Sequence, residues 1–351
     1  MKRKLLLAFV GLVIVGVGQG CTRKLPYSLI DTHVHVDMES GSVDLAGLVE
    51  QLDQYDLTRV FLMQTPDPTL PTDGSKMPAL LSFASAQASR FKFLFGGGDL
   101  NPIVHALGRS NAATLTLTDL FPNGGGSQAE VDKVKAVAAD SATYTTQFQD
   151  NATTAATSGQ YVGFGEFAPY HASRRTGHPF IEYPVNHTLM KWLANLAASN
   201  NMVIDVHVEA VGEKVNELAD LLAHNRSAKI IWQHAGWSET GGATATLFES
   251  MLAAHSNLYL GIKIRGAASE EMESSSVFDE RGRIKSDWLN LFKKYPDRIM
   301  VGSDMKFFQS GKSAGYGFSL VVAMNAELQA QLPKDVAKAI STGTAERLFG
   351  L

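Results

Sequence analysis

The sequence predicts an α/β fold, a single (β/α)8 barrel of the TIM type, on three observations. Short apolar runs rich in Val, Ile, Leu and Phe alternate with longer segments whose apolar residues recur at helical spacing. There are eight such runs, the number that closes a parallel barrel. Several end in an ionisable residue, and the C-terminal ends of the strands are where this fold carries active sites.

The eight strands are expected at about Leu29 to Val36, Arg59 to Gln64, Phe91 to Gly96, Tyr161 to Phe167, Met202 to Val208, Lys229 to Gln233, Leu258 to Ile262 and Ile299 to Gly302. Helices fall between them. Asp44 to Tyr55 places Leu45, Leu48, Val49 and Leu52 on one face, and Asn186 to Ser199 does the same with Leu189, Trp192, Leu193 and Leu196. The stretch from about 106 to 160 is Thr-, Ala- and Gly-rich and is broken at Pro122-Asn123-Gly124-Gly125-Gly126. It reads as a surface excursion plus one helix from about Gln128, or as a lid over the barrel mouth. No internal repeat or second domain is visible.

The chain opens with Lys2, Arg3 and Lys4, an apolar run from Leu5 to Val17 and the small-residue stretch Gly18-Gln19-Gly20 before Cys21. An apolar region of about 13 residues is the length of a secretory signal and short of the about 20 that cross a bilayer. Residues 1–20 are therefore assigned to a signal peptide, 21–28 to a tether and 29–351 to the barrel. Cys21 is the only cysteine, so no disulfide forms within the chain, and it stands where a bacterial lipoprotein signal places the acylated thiol. Gly20 fits that signal; Gly18 departs from it, standing where Leu is usual. Thr22 after the cysteine resembles the outer-membrane sorting pattern, so the expected location is the cell envelope, lipid-anchored and facing the periplasm. Removing residues 1–20 takes away three cations and no anion, so the net charge of −4 becomes −7. No basic patch points to nucleic acid.

The first strand reads Leu29-Ile30-Asp31-Thr32-His33-Val34-His35-Val36. Alternation puts His33 and His35 on one face, one pleat apart, where both imidazoles can hold one metal. Alone this pair is a weak signal. The other strand ends strengthen it: Gly165-Glu166, Asp205-Val206-His207, Gln233-His234 and Gly302-Ser303-Asp304. Burying so many ionisable groups is costly unless they pair with one another or with a metal.

Together Asp31-x-His33-x-His35, Gly165-Glu166, His207, His234-x-Gly236 and Gly302-Ser303-Asp304 resemble the amidohydrolase superfamily. The pattern is similar to the amidohydrolase-related branch that includes aminocarboxymuconate-semialdehyde decarboxylase and pyrone-dicarboxylate lactonase. The terminal Ala345-Glu346-Arg347-Leu348-Phe349-Gly350-Leu351 also resembles that branch, although Thr344 stands where Asn is common. The resemblance spans about residues 29 to 351, with about 106 to 160 outside it.

The resemblance implies a metal-dependent hydrolase in which His33, His35, His207 and Asp304 are ligands. His234 is then a second-site ligand or a group that polarises substrate, and Glu166 takes a position that bridges two ions in some relatives. Such a donor set suits Zn²⁺ first, as one ion or two, with Mn²⁺, Fe²⁺ or Ni²⁺ as alternatives. Asp304, approaching from the side opposite strand one, is expected to deprotonate the attacking water, which a bound metal acidifies.

Lys263 and Arg265 after strand seven, Trp237 after His234 and His171 after strand four are candidate substrate contacts; for each cation alone a solvated rim position is the ordinary reading. Collectively the cations favour an anionic small molecule. His224 and His255 read as helix-end caps, and His105, His178 and His187 as loop or helix-start residues. Hydrolysis of an amide, lactone or ester bond is the leading expectation. Non-oxidative decarboxylation is the alternative, favoured by a cation in contact with the metal centre. A non-catalytic binding lipoprotein is the third, favoured if Glu166 and Asp304 turn away.

Overall fold

A computed structural model describes residues 25–36, 45–66, 68–69, 81–82, 85–264, 276–306 and 318–351. Cys21, Arg265 and the predicted signal peptide lie outside them. No helix among the described residues is long and apolar enough to cross a membrane.

Seven parallel strands follow one another round the sheet: β1 (Leu29–His35), β2 (Leu57–Met63), β3 (Phe91–Gly96), β4 (Gly163–His171), β6 (Val203–Val208), β7 (Lys229–Ala235) and β8 (Leu258–Ile262). The eighth barrel strand comes in two pieces, β9 (Ile299–Val301) and β10 (Met305–Lys306). Its first half pairs with β8, Leu260 opposite Ile299, and its second half with β1, Val34 opposite Met305. The order thus returns to its start and the barrel closes. Consequently Asp304 reaches the mouth from the immediate neighbour of strand one, its N–H bonded to the His33 carbonyl at 3.0 Å, rather than from the opposite side.

The predicted strands are all present, within a few residues of their expected bounds. One short strand was not foreseen: β5 (Ile181–Glu182) folds antiparallel onto the end of β4. It extends β4 as far as His171, which is therefore a strand residue and not a loop residue.

Between β3 and β4 the chain builds α2 (Asn101–Gly108), α3 (Leu117–Leu120), α4 (Gln128–Ala139) and α5 (Ser141–Thr157), two long helices where one was expected. Thr116 with Asp119 and Ser127 with Glu130 form capping boxes, which explains where α3 and α4 begin. Val131, Val134 and Val137 of α4 and Phe148, Ala152 and Ala155 of α5 are buried in the main core. These helices are therefore wall and not lid. The end of α3 and the turn before α4 meet the loop after β4, where Leu120 accepts from the N–H of Phe180 at 2.7 Å and Gly124 from that of Gly177 at 2.8 Å.

The barrel interior holds Ile30, Phe61, Met63, Leu94, Val203, Ile231 and Met300, and Ala345 and Leu348 of the C-terminal helix α12 (Thr344–Phe349) pack against them, closing the floor. A (β/α)8 barrel plugged at this end leaves the opposite, C-terminal rim for chemistry.

His105, read from sequence as a loop or helix-start residue, is instead fully buried in the last turn of α2. Its Nδ1–H donates to the Pro68 carbonyl at 3.3 Å, and its Nε2 accepts from Arg109 Nη1 at 3.3 Å. Arginine has only donors, so this ring is held neutral. Burial first, then the Arg109 charge, pushes its pKa down to about 3. Because the unfolded chain binds this proton near pH 6.5 and the folded chain near 3, the stabilisation is complete above pH 6.5 and is lost as pH falls toward 3. His105→Gln should flatten the pH dependence of the unfolding free energy, read from urea denaturation, in that window by up to about 1.4 kcal/mol per pH unit, one proton's worth. An unchanged slope would show that His105 does not set it.

Candidate metal centre

Six groups converge at the C-terminal rim. His33 and His35 come from β1, Glu166 from β4, His207 from β6, His234 from β7 and Asp304 from the break between β9 and β10. All but Asp304 are at most 2 % exposed. His33 Nε2 and His35 Nε2 face each other at 3.2 Å. Around them lie Glu166 Oε2, 3.2 Å from His35 Nε2, and Asp304 Oδ1, 3.0 Å from the same nitrogen. The other Glu166 oxygen, Oε1, lies 2.8 Å from His234 Nε2 and 3.4 Å from His207 Nδ1.

Among the described residues two groupings have ligand atoms within 4.8 Å of one another: His33, His35 and Asp304, and His33, Glu166 and His234. His207 joins through Glu166 and stands outside both. His234 belongs to the second grouping. The buried His35 Nδ1 and His234 Nδ1 have no hydrogen-bond partner, and His207 Nε2 faces the Glu209 carboxylate at 3.6 Å.

The donor set fits a divalent metal. Two imidazole nitrogens held 3.2 Å apart between two carboxylates form a compact nest of lone pairs, and buried charges of this density are characteristic of ion sites. Burial opposes charging of His33, yet the Asp205 and Glu166 carboxylates raise its pKa well above the usual range. Burial likewise opposes ionisation of Glu166, and the His33 charge with the bonds from His207 and His234 overrides it, leaving that carboxylate ionised. His234 is pushed to about 3, chiefly by burial, and stays neutral with a lone pair to offer.

The backbone is bent to serve this arrangement. His234 and Asp304 lie at φ of +65° and +56°, a left-handed conformation that costs a non-glycine residue about 1 kcal/mol or more. Both residues are at strand ends and both are in the cluster. Strain held at two such positions marks a site where side-chain direction outweighs local stability.

Behind the ligands stands a support that sequence reading missed. Asp205, fully buried, accepts through Oδ2 from His33 Nδ1–H at 3.3 Å and from the Gln233 amide. This bond fixes the His33 tautomer and leaves Nε2 for a metal. Gln233 in turn lies over Gly261 and Gly302, where a Cβ would collide with its Oε1. Asp31 accepts the N–H groups of Ser303 at 2.9 Å and His33 at 3.3 Å, tying strand eight to strand one; burial lifts its pKa to about 6. Asp205 could have been found: it alternates with His207 on an apolar strand. Gln233 gave no signal beyond its place beside His234. Gly261→Ala should displace Gln233, loosen Asp205 and weaken metal affinity by about 10- to 100-fold, as losses behind a ligand do, without touching a ligand. Titration of the metal-free variant with Zn²⁺ measures this, and parental affinity would exclude the relay.

Of the other predicted contacts, Lys263, Trp237 and His171 also gather at the rim, Lys263 buried at 2 % exposure and not in the solvated position ordinary for such a cation, while Arg265 lies outside the described residues. Lys263 Nζ lies 2.5 Å from Asp304 Oδ2 and 3.2 Å from the centroid of the Trp237 ring. Trp237 is next to His234 and His207, at ring distances of 5.7 and 6.1 Å. The His171 ring lies tilted against His207, centroids 4.6 Å apart, and edge-on to His178 at 4.4 Å. Arg174, which sequence reading did not single out, pairs with Glu209 at 2.8 Å and Glu239 at 2.6 Å, spanning the loops after β4, β6 and β7. His187 caps α6 (Thr188–Ser199) and His224 ends α7 (Lys214–His224), in line with their structural readings.

No family model matches the sequence, and no curated protein matches it. Solved structures do, and the likeness is one of fold. One is an amidohydrolase of Burkholderia multivorans, 12 % identical, with a TM-score of 0.46 over 92 % of this chain and 99 % of that one. Another is a dihydroxybenzoic acid decarboxylase of Polaromonas with bound manganese and the inhibitor 2-nitroresorcinol, 11 % identical, TM-score 0.47, over 93 % and 97 %. A third is the 2,6-dihydroxybenzoate decarboxylase of Rhizobium, 10 % identical, TM-score 0.48, over 92 % and 99 %.

Proposed function

We propose that this chain is a metal-dependent enzyme that hydrolyses an amide, lactone or ester bond of a small anionic molecule. The observation that carries the reading is the convergence of His33, His35, Glu166, His234 and Asp304 on one point of the barrel mouth, with both carboxylates turned inward. A binding protein has no need of Asp304 in that place. His33, His35 and Asp304 would hold one ion, Zn²⁺ in first place, and Glu166 with His234 and His207 would complete the centre or hold a second. When bound, a metal there would supply an acidified water and a positive charge to stabilise a polarised carbonyl.

The chain's own groups divide the rest of the work. Asp304 is the most exposed member of the cluster, its side chain 20 % accessible, so it faces the arriving substrate. Its Oδ1 points to His35, leaving Oδ2 on the outer side to receive a proton. Lys263 neutralises that carboxylate between turnovers and can pair with an anionic substrate when it arrives. Trp237 and His171 flank the entrance and set its shape.

Decarboxylation is the second reading, and Lys263 favours it, because it is a cation in contact with a member of the metal centre. The test is a screen of the metal-loaded mature protein on lactones, esters and amides, and on hydroxybenzoates with CO₂ release recorded. Lys263→Met should cost about 10-fold in kcat/KM on anionic substrates and little on neutral ones if the lysine only steers charge. Decarboxylation as the sole activity would replace the hydrolytic reading, and inactivity on both classes with stoichiometric metal would overturn the enzyme proposal. The predicted acylation at Cys21 and envelope location are retained as part of this proposal, supported by the cationic start, short apolar run and well-placed cysteine.

A further inference from the structure

Strand β6 and its extension carry an ionisable side chain at every second position. Asp205, His207 and Glu209 alternate with Val206 and Val208, so the three share one face while the valines enter the main core. The extended backbone continues past the strand, where Ala210 bridges Gly241 in parallel and its N–H bonds the Thr240 carbonyl at 2.9 Å. Asp205 supports His33 through Nδ1 and leaves Nε2 toward Glu166. Glu209, at the other end of the row, has had no part in the site so far.

Glu209 is 3 % exposed. Its Oε1 accepts from the Ala172 N–H at 2.9 Å and from Arg174 Nη2 at 2.8 Å, and it lies 3.6 Å from His207 Nε2. The guanidinium is shared, because Arg174 Nε also pairs with Glu239 at 2.6 Å. Two carboxylates thus divide one cation, and a buried negative charge calls for a further partner. His207 is placed to be that partner.

The His207 ring stands between two carboxylates, Nδ1 at 3.4 Å from Glu166 Oε1 and Nε2 at 3.6 Å from Glu209 Oε1. They are not equivalent. Glu166 also reaches His33, His35 and His234 and belongs to a ligand grouping, whereas Glu209 belongs to neither. A neutral imidazole has one N–H and one lone pair. An ion beside Glu166 calls for the lone pair on Nδ1, which puts the proton on Nε2, facing Glu209.

We propose that Glu209 positions His207: it accepts the Nε2–H and keeps the Nδ1 lone pair turned toward the ion, while touching neither ion nor substrate. The proposal rests on the metal centre of the preceding section and adds to it a support for a second histidine. One strand then holds two rings by opposite nitrogens, His33 through Asp205 and His207 through Glu209, so that each presents its other nitrogen to Glu166. A gap of 3.6 Å is long for a hydrogen bond, and such bonds tighten when a site is filled. Since Arg174 and the Ala172 N–H fix the carboxylate, the ring is the part that adjusts. The competing account is that Glu209 serves only the Arg174 link between loops. Glu239 serves the same link through Arg174 Nε, and so separates the two accounts.

The test uses the mature protein, labelled at its histidine nitrogens for NMR and loaded with Cd²⁺ of a magnetic isotope. Expected is scalar coupling between cadmium and His207 Nδ1, with the proton on Nε2; His207→Asn assigns the signal. Glu209→Ala should weaken Cd²⁺ affinity about 10- to 100-fold and erase or move the coupling of His207 alone, with circular dichroism unchanged. Glu209→Gln, whose amide oxygen still accepts, should restore the coupling and most of the affinity. Glu239→Ala should bind Cd²⁺ as the parent does. Coupling to His207 Nε2, or parental affinity in Glu209→Ala, overturns the proposal; so does an equal loss in Glu239→Ala, which would leave Glu209 a strut. If Glu209→Ala does not fold, the parent spectrum decides between the two nitrogens. Stoichiometric Cd²⁺ without coupling to His207 overturns this inference and leaves the metal centre standing, whereas a parent that binds no Cd²⁺ removes both.

Discussion

Asp304→Asn is expected to keep most of the bound metal and to lose about 10² or more in turnover, the range associated with removal of a general base. The asparagine keeps the size and one oxygen for the inner position that Asp304 Oδ1 holds, 3.0 Å from His35 Nε2. What it lacks is the outer oxygen that can accept a proton, where Oδ2 now meets Lys263. The left-handed backbone at this position tolerates asparagine as well as any side chain, so the fold is not asked to absorb new strain. Metal content by elemental analysis and turnover must be measured on one preparation. Full activity with full metal would remove Asp304 from proton transfer and turn attention to Lys263 and decarboxylation; loss of metal in parallel with activity would make Asp304 a ligand first.

The barrel was legible because its signal is periodic and redundant: eight apolar runs, alternating with segments of helical spacing, constrain one another. The strand-end residues were legible for the same reason, since Glu166, His207, His234 and Asp304 each follow a run that has no other use for a charge. What escaped was set by contacts between distant strands. Asp205 and Gln233 support His33 across the barrel interior, and Arg174 links three loops, none of which any local pattern reports. The stretch from 106 to 160 misled because its Thr and Ala content hides the apolar faces of α4 and α5, which need only Val131, Val134, Val137 and Phe148 to bind the wall. The side from which Asp304 enters was missed because closure of the barrel makes the last strand the neighbour of the first, a relation invisible along the chain.

The remaining large effect is metal loss on removing the pair from β1. His33 and His35 supply the two nitrogens that face each other at 3.2 Å, and His33 is the one residue common to both ligand groupings. Alanine at His33 would leave the fully buried Asp205 without its imidazole partner, and breaking a buried charged pair from one side destabilises by about 3–5 kcal/mol, confusing unfolding with metal loss. Asparagine at both positions retains an amide donor for the carboxylates while removing the imidazole donors. The double variant His33→Asn with His35→Asn is therefore expected to keep the barrel's circular dichroism and to fall from at least one equivalent of metal to near background. Glu166→Gln separates one ion from two: a parent near two equivalents should fall to one, because the carboxylate reaches His35 through Oε2 and His234 through Oε1. Undiminished stoichiometric metal in the double asparagine variant would place the ion away from β1, and the convergence at the mouth would then have to be explained as a network of hydrogen bonds alone.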